Sequence, residues 1–223
     1  MFNFTPQKYD LSKQYHMPLL HEIPFDFPSP TAVWHIVEES QSLEKEISLN
    51  VQQQALFNGR QTETARQGFL AARAALFSLG SFSAQLQHCE QGAPVLPKMH
   101  CSMSHCSNFA LAAIANQPIG VDIEAYRPKI KRIAPKFVHQ HEETFLSPHP
   151  SIEMLTRLWT AKEAVYKALR QQGLSFKDQI QVMPFSSDDL TGEAKVHVSG
   201  KEKTIALRFN RYNHHEITHA LIV

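Results

Sequence analysis

Apolar and polar residues follow two rhythms along this chain, and each rhythm marks an element. From Thr31 to Val37 the residues are β-branched or aromatic and apolar almost throughout, which predicts a strand. Between Leu43 and Leu79 the pattern is helical, and Asn58-Gly59 breaks it into two expected helices. In the second of these, Phe69, Leu70, Ala74, Leu76 and Phe77 can form one apolar face, with Gly80 as the stop. Short strands are expected at 102–105, 109–115 and 119–124, with a turn at Asn116-Gln117-Pro118 between the last two. Pro128, Pro135, Pro148 and Pro150 punctuate a region carrying one short helix, Ile130 to Leu146. Ser151 reads as the N-cap of a helix running to Gln172, with Gly173 as its stop. Strands at 180–182, 194–198, 204–209 and 219–223 end the series, and residues 1–30 read as irregular or edge structure.

Helix followed by strands recurs in both halves. That order permits an α+β chain of two α/β lobes, 1–116 and 117–223, although direct comparison of residues finds no repeat. Of the 223 residues 43% are hydrophobic, enough for a real core, and the net charge of +1 argues against bulk binding of nucleic acid. No apolar run approaches the roughly twenty residues of a membrane helix, and the first thirty residues lack a secretory pattern. Cys89, Cys101 and Cys106 cannot all pair within one chain, so reduced thiols and a cytoplasmic location are expected.

Two short strings carry the candidate chemistry. In Gly120-Val-Asp-Ile-Glu124, the carboxylates of Asp122 and Glu124 share one face of an extended segment. Those like charges disfavour each other unless a cation or base lies between them. In Trp159-Thr-Ala-Lys-Glu-Ala-Val-Tyr-Lys167, Glu163 and Lys167 stand one helical turn apart, on the flank of an apolar stripe. Lys162 falls near the middle of that stripe, breaking the binary pattern in the way functional sites do. Such a set could hold a hard divalent cation beside a fixed positive charge, which suits chemistry on phosphates. The plain alternatives are a solvated strand face, a snorkelling lysine and a surface ion pair. His100-Cys-Ser-Met-Ser-His105-Cys106 lacks the second ligand pair of a zinc ribbon, and His105 fits better as a single phosphate donor. Arg66 and Arg73 lie seven apart on one helix face and could grip a phosphate bidentately. No glycine-rich phosphate loop is present, so side chains would have to hold any nucleotide.

The two strings, in this order and spacing, resemble the paired signature of the 4′-phosphopantetheinyl transferases, and specifically their larger two-lobed class. Ser102-Met-Ser-His105 resembles the Ser-His segment of that family, and Glu142 lies where it often has another glutamate. The resemblance covers about Gly92 to Gly173. It implies two similar lobes related by a pseudo-twofold axis, with the active site in the cleft between them. The first lobe would meet coenzyme A phosphates and the carrier, and the second would bring the metal-binding and catalytic motifs. It implies Mg²⁺-dependent transfer of 4′-phosphopantetheine from coenzyme A to a serine of an apo acyl or peptidyl carrier protein. Adenosine 3′,5′-bisphosphate is the other product. By the same resemblance Asp122, Glu124 and Glu163 are metal ligands, and Glu163 is the general base with Glu142 as rival. Lys162 and Lys167 contact the pyrophosphate, and His105, Arg73 and Arg66 hold coenzyme A phosphates. Where the family has Gly-Lys-Pro this chain has Gly92-Ala93-Pro94, one positive charge fewer.

Lys129, Lys131, Arg132 and Lys136 form a basic run suited to an acidic carrier, in a chain expected to work as a monomer away from nucleic acid and membranes. The competing readings are a non-catalytic module that binds coenzyme A or a nucleotide, and an interaction protein whose acids form only surface pairs.

Overall fold

The computed structural model describes residues 27–222 apart from positions 81, 147 and 199. Most of the irregular segment expected at 1–30 therefore lies outside the described residues, as does Val223. The chain folds into mixed α/β structure built on two larger antiparallel sheets and a small hairpin.

The first sheet has the order β1-β5-β4, with β1 at Thr31–His35, β4 at His100–His105 and β5 at Phe109–Ala115. Strands β1 and β5 are apolar on both faces because both faces are covered. Ala32, Trp34, Ala110, Ala112 and Ile114 pack under helix α3, Glu63–Ser78, together with Phe69, Leu70 and Leu76. Val33, Leu111 and Ala113 point the other way, onto the second sheet.

The second sheet has the order β6-β10-β9-β8-β7. Its strands are β6 Ile119–Ala125, β7 Ile180–Val182, β8 Thr191–Val198, β9 Lys201–Tyr212 and β10 His215–Ile222. Ile119, Val121, Ile123, Ile217 and Leu221 meet the first sheet in a shared apolar layer. The opposite face packs on α6, Ile152–Leu169, through Leu158, Ala161, Ala164, Val165 and Ala168. Gly120 permits the closest approach, because a Cβ there would sit 1.8 Å from the carbonyl oxygen of Ala164.

Several expected boundaries shift. The stretch 43–79 holds three helices, not two: α1 Ser40–Glu46, α2 Val51–Asn58 and α3. The extra break falls where the Asn50 side chain accepts from the Gln53 N–H and starts a new helix. The single helix expected at 130–146 is instead α4 Lys129–Ile133, a 3-10 turn and α5 Gln140–Glu143. Helix α6 stops at Leu169, short of Gln172, because Arg170 adopts a left-handed conformation with φ 52°. A small hairpin of β2 Gln87–His88 and β3 Pro94–Val95 was not expected.

Candidate active site

The site lies on a seam between the sheets, where β6 runs beside β4. Strand β6 pairs with β10 along one edge only, so its other edge needs partners. Side chains supply them. The N–H of Val121 donates to Ser102 Oγ at 3.0 Å, and its carbonyl accepts from Lys167 Nζ at 3.2 Å.

Asp122 sits at the centre, 3% exposed. Its Oδ1 accepts from Ser104 Oγ at 2.6 Å and pairs with Lys167 Nζ at 2.7 Å, and Lys167 also donates to Ser104 Oγ at 3.0 Å. Its Oδ2 is buried with no partner. The sheet register explains why an acid faces a helix here. Asp122 pairs with Thr218 and Glu124 with Glu216, and both β10 residues face α6, through Thr160 at 2.8 Å and Arg157 at 2.6 Å.

Glu124 and Glu163 complete the acidic group. Burial, then the charge of Asp122, pushes Glu163 up to about 7 against the pull of Lys167. Burial and Asp122 push Glu124 up to about 7 as well, with a smaller contribution from Glu163. Asp122 therefore acts on both glutamates. Among the described residues, however, no three His, Cys, Asp or Glu side chains form a ready metal-binding group. In this arrangement the cation against Asp122 is the Lys167 ammonium.

Basic groups from the first half face this cluster. His105 ends β4, and its ring occupies space that a side chain at Gly68 of α3 would fill, 2.3 Å from a Cβ built there. Burial lowers the His105 pKa, and the charges of Lys167, Arg60 and Arg73 lower it further against the opposing pull of Asp122. Arg73 is 3% exposed and stacked on Phe69, with its guanidinium carbon 3.2 Å from the ring centre. It donates to the Phe69 carbonyl at 2.9 Å and to His88 Nε2 at 3.0 Å. Burial, then the charge of Arg60, lowers Arg73 to about 9. Its Nε is buried without a partner. A guanidinium so enclosed, with a second one acting on it, suits an anion.

Not every expected residue joins them. Arg66 turns back onto Phe57, 5.0 Å from the ring centre, and donates to the Arg60 carbonyl. Lys162 and Glu142 engage each other at 2.8 Å in an enclosed ion pair. Arg60 stands out in the sequence with Arg66 and Arg73 along one helical stretch, and Ser104 lies within the Ser102 to His105 segment, but neither carries a role there. His88 gives no signal, because only the tertiary fold brings it to Arg73.

Comparison with known proteins agrees with the motif reading. Residues 118–221 match the family model of the 4′-phosphopantetheinyl transferase superfamily. Enterobactin synthase component D of Salmonella typhi is 35% identical over 102 residues, 44% of this chain and 41% of that protein. A 4′-phosphopantetheinyl transferase of Bacillus subtilis is 34% identical over 77 residues, 33% of this chain and 34% of its own length. The 4′-phosphopantetheinyl transferase gsp of Aneurinibacillus migulanus is 32% identical over 84 residues, 36% of this chain and 35% of that protein. The chain thus matches about two-fifths or less of the length of these relatives. Among the described residues no helix is long and apolar enough to cross a membrane.

Proposed function

We propose that this chain transfers 4′-phosphopantetheine from coenzyme A to a serine of an apo acyl or peptidyl carrier protein. The observation that carries the reading is the β4–β6 seam. There Asp122, bonded to Lys167 and acting on Glu163 and Glu124, also acts on His105 from the first half of the chain, a ring on which the charge of Arg73 acts in turn. Positive groups from residues before 117 and acids from residues after it would then form two walls of one cleft, as a two-lobed arrangement requires.

The donor set fits a hard cation. The three carboxylates do not form a ready group as they stand, but burial and the charge of Asp122 raise Glu124 and Glu163 to about 7, and a buried Asp122 oxygen lacks a partner that a cation would supply. Asp122, Glu124 and Glu163 would hold Mg²⁺, which when bound adds positive charge beside the pyrophosphate. The other roles belong to side chains. The carrier serine hydroxyl attacks the phosphorus that bears pantetheine and gives its proton to Glu163. The bond to the second phosphate breaks, and adenosine 3′,5′-bisphosphate leaves. A carboxylate raised to about 7 is well poised as a base at neutral pH. Lys167 would neutralise the departing bisphosphate, His105 would donate a hydrogen bond to it, and Arg73 would hold a phosphate of coenzyme A. Lys129, Lys131, Arg132 and Lys136 are exposed on and just after α4, which follows β6, and would meet the acidic carrier.

The test is intact-mass analysis of several apo carriers incubated with the protein, coenzyme A and Mg²⁺. Gain of one phosphopantetheine group is expected, and its loss in both Asp122→Asn and Glu163→Gln. Coenzyme A binding in calorimetry with no mass gain on any carrier would instead leave a binding module.

A further inference from the structure

We propose that Lys162 and Glu142 form a positioning pair that sets the rotation of α6 and so aims Glu163 and Lys167, and that neither touches the substrate. The inference rests on the transferase reading above and changes the roles expected for these two residues.

Lys162 is completely enclosed, and each hydrogen of its ammonium is used. It donates to Glu142 Oε2 at 2.8 Å, to the Phe176 carbonyl at 2.7 Å and to the Ile180 carbonyl at 2.7 Å. A lysine so saturated has no hydrogen left for a phosphate. Glu142 is equally occupied. Its Oε1 accepts from the Val182 N–H at 2.8 Å, and its Oε2 accepts from the His139 N–H at 2.8 Å as well as from Lys162. A proton acceptor must reach the attacking hydroxyl, and this carboxylate faces only backbone and Lys162. Phe137, Trp159, Phe176 and Tyr166 form a chain of ring contacts over the same region, with centres 5.0 to 5.4 Å apart.

The pair joins four segments: α6 itself, the cap of α5, the turn at Phe176 and strand β7. Glu163 follows Lys162 directly and lies roughly 100° further round the helix. Lys167 lies a further turn along and reaches Asp122. With Lys162 fixed at three points of attachment, the azimuth of α6 is fixed, and with it the direction of Glu163 and Lys167. The charges themselves gain little. Burial draws Lys162 down and Glu142 up, toward neutrality, and each charge opposes the shift of the other.

A double-mutant cycle tests this, using Glu142→Gln, Lys162→Met and the two combined. Each single variant leaves a charge enclosed without its counter-ion, whereas the combination leaves none. The expected result is a lower Tm and lower activity for each single variant. The double variant is expected to melt above both singles, with kcat within about tenfold of the parent and KM for coenzyme A within about threefold. A folded double variant whose kcat falls about a hundredfold or more would make Glu142 the proton acceptor and overturn the proposal. A KM for coenzyme A raised about tenfold at unchanged kcat would return Lys162 to the phosphate and also overturn it. A double variant that melts no higher than the singles would remove the pairing itself. If the parent transfers nothing to any carrier, the transferase reading fails. Calorimetry with coenzyme A then decides the positioning role: equal affinity in the parent and the double variant supports it, and about tenfold weaker binding in the double overturns it.

Discussion

At the scale of single residues, the balance of charge around Asp122 governs what the site can bind. Lys167 bonds Asp122, but its side chain is 27% exposed while that of Asp122 is 5% exposed. Lys167→Met therefore costs about 2 kcal/mol of stability, less than the 3–5 kcal/mol of breaking a fully buried pair. Urea unfolding measures that cost, and the proposed phosphopantetheine transfer is expected to fall at least a hundredfold in the same variant. Glu124 and Glu163, both raised from 4.5 to about 7, make the site pH-dependent. Between those values the folded chain holds more protons than the unfolded one. Their contribution to stability is complete below 4.5 and is lost as pH climbs through 7. A divalent cation competes with those protons. The rise in Tm caused by Mg²⁺ should thus be larger at about pH 8 than at about pH 6 and vanish with a chelator. Equal shifts at both pH values would show that these carboxylates do not bind the ion. Gly68 gives a third handle. A methyl group there meets the ring of His105 first, so Gly68→Ala displaces that ring while adding helix propensity worth up to about 1 kcal/mol. Coenzyme A affinity should drop, as read by calorimetry, with Tm unchanged or slightly raised.

At the scale of elements, the seam depends on how closely α6 lies on β6. A Cβ at Gly120 would meet the Ala164 carbonyl oxygen at 1.8 Å and the Ala168 nitrogen at 2.6 Å, and backbone cannot swing aside as a side chain can. Gly120→Ala is expected to cost about 3 kcal/mol and to separate Asp122 from Lys167, so the denaturation midpoint and transfer activity fall together. Stability retained to within about 0.5 kcal/mol would show that the two elements can part without harm. These were also the elements most legible in the sequence. Val121 and Ile123 alternate with Asp122 and Glu124, and that local period fixes which face is acidic. Likewise the stripe of α6 put Lys162 near its middle and Glu163 with Lys167 on its flank, and the fold encloses Lys162 completely. What local pattern could not carry was pairing at a distance. Lys162 finds Glu142 twenty residues away through a cap and a strand, so the sequence made a binding group of a residue that the fold encloses. Strand β9 was expected at 204–209 but spans 201–212, because the polar residues extending it at both ends hide a register set by β8 and β10.

At the scale of the whole molecule, the two halves are joined by an apolar layer, and that layer contains a fully buried polar group that the site does not use. His219 of β10 pairs with Val121, faces the first sheet and is fully buried. Its Nε2 lies 3.0 Å from Thr31 Oγ1, a hydroxyl that donates to the Ser29 carbonyl, so the imidazole donates from Nε2. Nδ1 is left buried with no partner. Burial lowers this histidine from 6.5 to about 3, so the unfolded chain takes up a proton in that interval before the folded chain does. The neutral ring contributes its full stability above 6.5 and loses it as pH falls toward 3, a range worth at most about 5 kcal/mol. His219→Leu replaces the ring with a group of similar bulk that cannot charge. Urea unfolding at about pH 7 and about pH 4.5 should show the parent losing about 3 kcal/mol more than the variant. Because Val33, Leu111, Val121, Ile123 and Ile217 form one layer across both sheets, that loss should appear as a single cooperative transition of the whole chain. If only one half melted in acid, the two sheets would be separate folding units and the seam between them would have to assemble by docking.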